Sequence, residues 1–219
     1  MTWIGRFISS SVGRKQIVAV TGLLLCLFLV AHLLGNLLLV AGPERFDEYA
    51  LFLEERPLLV IGGEIVLIVL FLSHIGLATR LSIENRAARS TRYYVQGNKG
   101  AETPANRTML ISGVIVLVFL VIHIWNFKLG VRPQDSLYWL VVNTFQSSVG
   151  WVVWYVIANA TLGFHLSHGV QSAFRTLGLQ HPRYTPWIKR LSVAFAVLIA
   201  AGYIFLPIYC RWFVEPLPR

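Results

Sequence analysis

Five of the six histidines in this chain lie within long runs of apolar residues, and they offer the clearest chemistry in the sequence. They are His32, His74, His123, His165 and His168. Imidazole is polar, titratable and the commonest metal-binding side chain, so its presence in segments that could cross a membrane indicates a function. A single such histidine often serves only as a hydrogen-bond partner between helices. One or more in each of four consecutive apolar runs predicts a shared role.

Four of these histidines fall at two depths if the apolar runs form helices that cross the membrane in alternating directions. At about 1.5 Å of rise per residue, His32 and His123 lie deep along helices that run outward, in the outer half. His74 and His165 lie equally deep along helices that run inward, in the inner half. We name His32 and His123 the outer pair, and His74 and His165 the inner pair.

Two imidazoles from facing helices at one depth can supply both axial ligands of a haem iron. The two pairs therefore predict two b-type haems, one above the other, as a route for electrons across the bilayer. The spacing agrees, because 42 residues separate His32 from His74 and also His123 from His165. Helices one and two thus echo helices three and four. A zinc site is disfavoured because it needs three or four clustered ligands.

The fourth ligand is open between His165 and His168, which lie about one helical turn apart. Depth favours His165. The sequence Leu-Ser-His favours His168, because it ends at both His74 and His168. The histidine that is not the ligand could contact a haem propionate, or line a path for protons or quinone.

The segments that carry the histidines are typical of a membrane protein. Of 219 residues, 56% are hydrophobic and 13% are charged, whereas about a quarter are charged in soluble domains. Lipid leaves exposed backbone groups unsatisfied, so we expect an all-α integral membrane bundle of five transmembrane helices. Residues 1–219 form a single domain in this prediction, with residues 1–15 as an interfacial segment and 44–56 as an acidic outer loop. The five helices are predicted at about 16–41, 58–80, 108–128, 149–174 and 188–210.

The net charge of +9 could suggest a nucleic-acid-binding protein, but the distribution of charge predicts a lipid bilayer as the partner and no nucleic acid. Thirteen of the 19 Lys and Arg residues lie in the N-terminal segment, the second loop and the fourth loop. The positive-inside rule therefore places the N-terminus in the cytoplasm and the C-terminus outside. The same rule accounts for the basic residues Arg80, Arg86, Arg89 and Arg92 as residues of the inner surface.

The segments around the histidines resemble the dihaem cytochrome b subunit of succinate dehydrogenases and fumarate reductases. The likeness covers nearly the whole chain. It is greatest to the form in which one polypeptide of five helices binds two haems. The matching segments are Val30–Asn36, Leu72–His74, Val121–Trp125 and Phe164–Gly169.

This resemblance implies a membrane anchor for a flavoprotein subunit and an iron–sulfur subunit on the cytoplasmic side of a prokaryotic inner membrane. The dicarboxylate chemistry of such a succinate:quinone oxidoreductase takes place on those other subunits. The anchor exchanges electrons with a quinone, often menaquinone. The family's axial ligands correspond to His32, His74, His123 and His165 in this sequence.

Glu64 is the one acid within the predicted spans, about seven residues from the outer end of the second helix. An unpaired carboxylate at that depth is a functional candidate. We predict Glu64 as a proton-transferring group for the quinone. The alternative is an acid of the lipid interface, or a hydrogen-bond partner of a neighbouring helix.

Two other functions fit parts of the pattern. One is a cytochrome b anchor of another oxidoreductase, such as a hydrogenase or formate dehydrogenase. Such anchors commonly have four helices and a different arrangement of histidines, so the fifth helix and the equal 42-residue spacings disfavour this function. A haem-free carrier would use the histidines as a proton relay. It would show no haem spectrum, which separates it from both cytochromes.

Overall fold

The computed structural model describes residues 2–87 and 104–216, apart from the side chains of residues 86 and 104–107. The predictions for Arg89, Arg92 and the side chain of Arg86 lie outside this part of the chain. The described residues are almost wholly helical and include no strand. The helices are α1 (Trp3–Ser9), α2 (Ser11–Leu37), α3 (Pro43–Glu54), α4 (Pro57–Ala87), α5 (Pro104–Phe127), α6 (Leu137–Ser147), α7 (Val149–Thr176) and α8 (Thr185–Trp212).

Five of these helices are long and apolar enough to cross a membrane, which confirms the predicted fold class. They are α2, α4, α5, α7 and α8. All five extend beyond the predicted apolar runs at one end or both, and the largest extensions are in α2, which begins at Ser11, and α4, which continues to Ala87. A helix can continue past the apolar run because its backbone hydrogen bonds do not depend on side-chain polarity. The orientation of the termini stays a prediction.

Serines begin three of the helices. The Ser10 hydroxyl accepts a hydrogen bond from the amide of Gly13 at 2.9 Å, and Ser148 accepts one from Gly150 at 3.0 Å. At the start of α6, Ser136 accepts one from the amide of Trp139 at 3.1 Å. Each hydroxyl satisfies an amide that has no partner within its helix. The breaks before α2, α6 and α7 are therefore set by local sequence.

Residues 44–56, predicted as an outer loop, form most of α3, so the prediction of a loop is wrong, while the outer position of the segment stays a prediction. Phe46 and Ala50, one turn apart, are buried on one face of α3, which packs against α6. Asp47 of α3 accepts hydrogen bonds from the Ser136 hydroxyl at 2.6 Å and the Tyr138 amide at 2.9 Å. The acidic composition indicated a loop, but the segment is a helix that is stabilised by the contacts of Asp47 with Ser136 and Tyr138.

Helix α7 lies at the centre of the bundle and packs against α2, α5 and α8, while α2 also packs against α4. A Cβ atom at Gly163 of α7 would lie only 2.7 Å from that of Ala200, so α7 and α8 approach closely. Helix α8 also reaches α2, where the Tyr203 hydroxyl donates to the Leu29 carbonyl at 2.8 Å. These contacts bring the four histidine-bearing helices into one bundle.

Candidate metal centres

The outer pair is brought together from two helices. The ring centroids of His32 on α2 and His123 on α5 lie 5.7 Å apart, with their planes at 87°. Two rings that share a metal, each with a nitrogen about 2 Å from it, would have centroids about 6 Å apart. A phenylalanine one turn earlier packs on each ring, Phe28 at 5.2 Å from His32 and Phe119 at 5.6 Å from His123. The spacing therefore fits a metal held between these two imidazoles.

The polar contacts of the outer pair are sparse. The Asn36 amide donates to the His32 carbonyl at 2.8 Å and also lies 3.4 Å from His32 Nε2. Within the described residues, His123 Nδ1 is buried and has no hydrogen-bond partner. A buried nitrogen without a partner is costly and requires an explanation, such as an ion. Coordination to a metal would satisfy one nitrogen of this ring.

The inner histidine of α4 faces α2. His74 Nδ1 lies 3.1 Å from the Val18 carbonyl oxygen and 3.3 Å from Thr21 Oγ1. A carbonyl oxygen only accepts, so the hydrogen of the neutral ring must be on Nδ1. Nε2 then keeps its lone pair, which is the form of imidazole that binds a metal.

The inner histidine of α7 faces α5 in the same way. His165 Nδ1 lies 3.1 Å from Ser112 Oγ, and the Met109 backbone is a further hydrogen-bond partner of the ring. The Ser112 hydroxyl donates its own hydrogen to the Met109 carbonyl at 3.1 Å, so it accepts from Nδ1. His74 lies close enough to interact electrostatically with His165. Both inner rings therefore keep Nε2 free for a metal.

The surroundings of the histidines repeat along the chain with a constant offset of 91 residues. The predicted echo rested on the histidines alone, and the structure extends it to their neighbours on α2 and α5. Sequence reasoning missed the hydroxyl-bearing residues and the phenylalanines among these neighbours, although the constant offset was a signal that could have found them. The equivalent positions are Val18 and Met109, Thr21 and Ser112, Gly22 and Gly113, Phe28 and Phe119, His32 and His123, and His74 and His165.

A glycine follows each hydroxyl-bearing residue and leaves room beside the inner ring. A Cβ atom at Gly22 would lie 3.0 Å from His74 Cε1, and one at Gly113 would lie 3.6 Å from His165 Cε1. The inner level is also separate from the outer one. Eleven residues lead from Thr21 to His32, which is about 16 Å along a helix. The geometry therefore has two levels, each with two imidazoles.

His168 lies one turn beyond His165, about 60° away around the axis of α7. Its ring packs edge-on against Phe164 of the same helix, with centroids 4.9 Å apart. Lys189 of α8 lies within electrostatic range. His165 therefore contacts α5, whereas the ring contact of His168 lies within α7 itself.

Glu64 is ion-paired, so the expectation of an unpaired carboxylate is wrong. Its partner is Lys128, just beyond the end of α5, and both side chains are about half exposed. Glu64 is also not alone, because the extended α4 carries Glu84 within the candidate span that ends at residue 85. Glu84 binds Arg14 at 2.6 Å and Arg80 at 2.9 Å. The alternative considered for Glu64 was a hydrogen-bond partner of a neighbouring helix, and Lys128 lies directly after α5.

Over residues 2–87 and 104–216, no three or more His, Cys, Asp or Glu side chains are grouped as metal ligands. A structural zinc site would need such a group. Two imidazoles on opposite sides of one iron are instead the ligand set of a b-type haem. The paired histidines, the ring tautomers and the glycine space therefore fit haem as the metal group.

One curated protein is similar to this chain over most of its length. Over 189 residues the chain is 22% identical to the succinate dehydrogenase cytochrome b558 subunit of Bacillus subtilis (strain 168), covering 82% of this chain and 86% of that protein. This likeness supports the cytochrome b family of succinate dehydrogenases. No protein-family model and no solved structure matches the chain. Together with the five apolar helices, the relative supports a multi-pass membrane protein of a bacterium.

Proposed function

We propose that this chain is the dihaem cytochrome b membrane anchor of a succinate:quinone oxidoreductase, either a succinate dehydrogenase or a fumarate reductase. The observation that carries the proposal is the repeated arrangement of two imidazoles at each of two levels of one helical bundle. The named bacterial relative supports the same family. In this proposal residues 1–219 form one transmembrane domain.

The residues of the chain have separate tasks in holding two haem b groups. His32 and His123 would hold the iron of the outer haem, and His74 and His165 that of the inner haem. Bound haem would supply reversible one-electron transfer at each level. Phe28 and Phe119 pack on the outer rings. Gly22 and Gly113 leave space beside the inner rings.

The partners of this anchor are a flavoprotein subunit and an iron–sulfur subunit on the cytoplasmic side of the inner membrane. The anchor relays electrons between the iron–sulfur subunit and a membrane quinone, for which menaquinone is the expected species. The predicted orientation supports this side, because the basic segments lie on it. At that end of the bundle Arg14 and Arg80 converge on Glu84, which ties α2 to α4.

Glu64 is proposed as a proton-transferring group for the quinone at the opposite end of α4. Quinone reduction takes up protons, and a titratable group near the membrane surface can supply them. The Glu64 side chain is 43% exposed at the surface of the helical bundle. Its ion pair with Lys128 offers a competing structural role.

The test is to purify the complex through a tag on this chain and to add succinate. We expect a flavoprotein and an iron–sulfur protein to co-purify, and succinate to reduce haem b in the absorbance spectrum. Reduction by hydrogen or formate, but not by succinate, would assign the chain to another oxidoreductase. A folded chain without haem would instead favour the carrier.

A further inference from the structure

The inner rings are the two histidines whose Nδ1 atom contacts a hydroxyl of a neighbouring helix. Thr21 and Ser112 occupy equivalent positions in the repeat, and each hydroxyl lies 53 residues before the histidine that it contacts. Both hydroxyl hydrogens are already used within their own helices. Thr21 donates to the Ile17 carbonyl at 2.7 Å, and Ser112 donates to that of Met109 at 3.1 Å. Each oxygen therefore accepts a hydrogen bond from the histidine ring.

We propose that Thr21 and Ser112 are positioning residues for the axial ligands of the inner haem. This inference rests on the proposed function. Each hydroxyl acts together with a backbone carbonyl at the same nitrogen, that of Val18 for His74 and that of Met109 for His165. The two acceptors hold the Nδ1–H tautomer and the rotation of the ring, so that Nε2 is left for the iron. Acceptors at Nδ1 also increase the electron donation of an imidazole to its metal. Thr21 and Ser112 thereby stabilise the oxidised inner haem and lower its reduction potential.

The outer pair shows that these contacts are specific to one level. Each outer ring packs against a phenylalanine of its own helix, and His123 Nδ1 has no hydrogen-bond partner in the described part of the chain. The electron donation of the imidazoles is therefore controlled by different contacts at the two levels, although each level has two imidazoles. The arrangement also distinguishes His165, which contacts Ser112, from His168, which packs on Phe164 of its own helix.

The experiment is a redox titration of the haem absorbance in the purified chain, with haem content measured on the same samples. Thr21→Val and Ser112→Ala remove the hydroxyls with little change of shape. Thr161→Val and Ser192→Ala are matched controls, because these hydroxyls donate to their own helices, at 2.9 Å to Ile157 and 2.7 Å to Ile188. Thr21→Ser restores a hydroxyl and serves as the rescue.

We expect two haems per chain in all variants, and a shift of one titrating component to a more positive potential in Thr21→Val and Ser112→Ala. The same component should move in both variants, because His74 and His165 bind the same iron. The double variant should move it further, giving a several-fold change in the ratio of reduced to oxidised haem at fixed potential. Thr21→Ser and the two controls should match the wild type.

Unchanged components in variants that hold two haems would overturn this inference and leave the proposed function standing. An equal shift in Thr161→Val would also overturn it, because the effect would not depend on contact with a histidine. Shifts of different components in the two variants would overturn the pairing of His74 with His165. A wild-type chain with fewer than two haems would overturn the proposed function, and this inference with it.

Discussion

The inner and outer pairs hold the same kind of side chain by different means. Each inner ring makes polar contacts through Nδ1, to Val18 and Thr21 for His74 and to Ser112 for His165. Each outer ring packs instead against a phenylalanine one turn earlier on its own helix. The two members of each pair are related by the offset of 91 residues. The surroundings of the inner pair nevertheless differ from those of the outer pair.

The orientation of a histidine ligand can therefore be fixed by two kinds of contact. Hydrogen bonds are directional, so they set the tautomer and the rotation of a ring. Aromatic packing fixes where a ring lies but tolerates changes of angle. The inner level should therefore respond most to changes of hydrogen bonding and of close packing, and the outer level to loss of aromatic bulk.

The largest effect is expected from removing a ligand. His32→Ala or His123→Ala should remove the outer haem, and His74→Ala or His165→Ala the inner one, because an iron with one axial imidazole is held more weakly. The pyridine haemochrome assay should then give one haem per chain. His168→Ala is the control and should keep both. If His168→Ala lost a haem and His165→Ala did not, the inner ligand would be misassigned.

A smaller effect is expected from filling the space beside the inner rings. Gly22→Ala would put a Cβ atom 3.0 Å from His74 Cε1, and overpacking of this kind costs about 1–3 kcal/mol. Gly113→Ala makes only an ordinary contact, at 3.6 Å, and Gly76→Ala meets nothing within 4 Å. Retention of the inner haem on heating should fall in Gly22→Ala and stay near wild type in Gly76→Ala. Equal retention in these two variants would argue against close packing at His74.

The outer level should show the complementary response. Phe28→Leu or Phe119→Leu removes a ring that packs on a ligand, with an expected loss of about 0.5–1.5 kcal/mol. On heating, haem absorbance should show that the outer haem is released at a lower temperature than in the wild type, while release of the inner haem is unchanged. Phe205→Leu is a control, because Phe205 packs on Tyr209 of the same helix. Equal loss of both haems would mean that the levels are not independent.

The smallest effect on stability is expected at the ion pair between Glu64 and Lys128, since both side chains are about half exposed. Glu64→Gln and Lys128→Gln should each cost about 0.2–1 kcal/mol in thermal unfolding. If Glu64 transfers protons, the rate of quinone reduction should fall in Glu64→Gln and not in Lys128→Gln. Equal rates in the two variants would leave Glu64 with a structural role alone.

The five spans could be predicted because the apolar runs are long and lipid permits few backbone structures. The ends of the spans could not, because α4 continues through charged residues to Ala87. Helix α3 was missed for a related reason. Its burial depends on α6, which lies far along the chain, so its local composition indicated a loop.

The histidines could be found from residue type and spacing, and their pairing from depth. The contacts of Thr21 and Ser112 were harder to predict, because a hydroxyl within an apolar helix usually bonds to its own backbone. Only the packing of α4 on α2 and of α7 on α5 brings them to the histidines. The partner of Glu64 depends in the same way on where the chain leaves α5, which apolar periodicity does not specify.

The most direct test of two haems in this bundle is the haem content of the purified chain, measured by pyridine haemochrome against protein concentration. We predict two b-type haems per chain, which titrate as two components when the reduced-minus-oxidised absorbance is followed against potential. A single haem in a well-folded sample would contradict one of the two pairs. No haem would contradict the account as a whole.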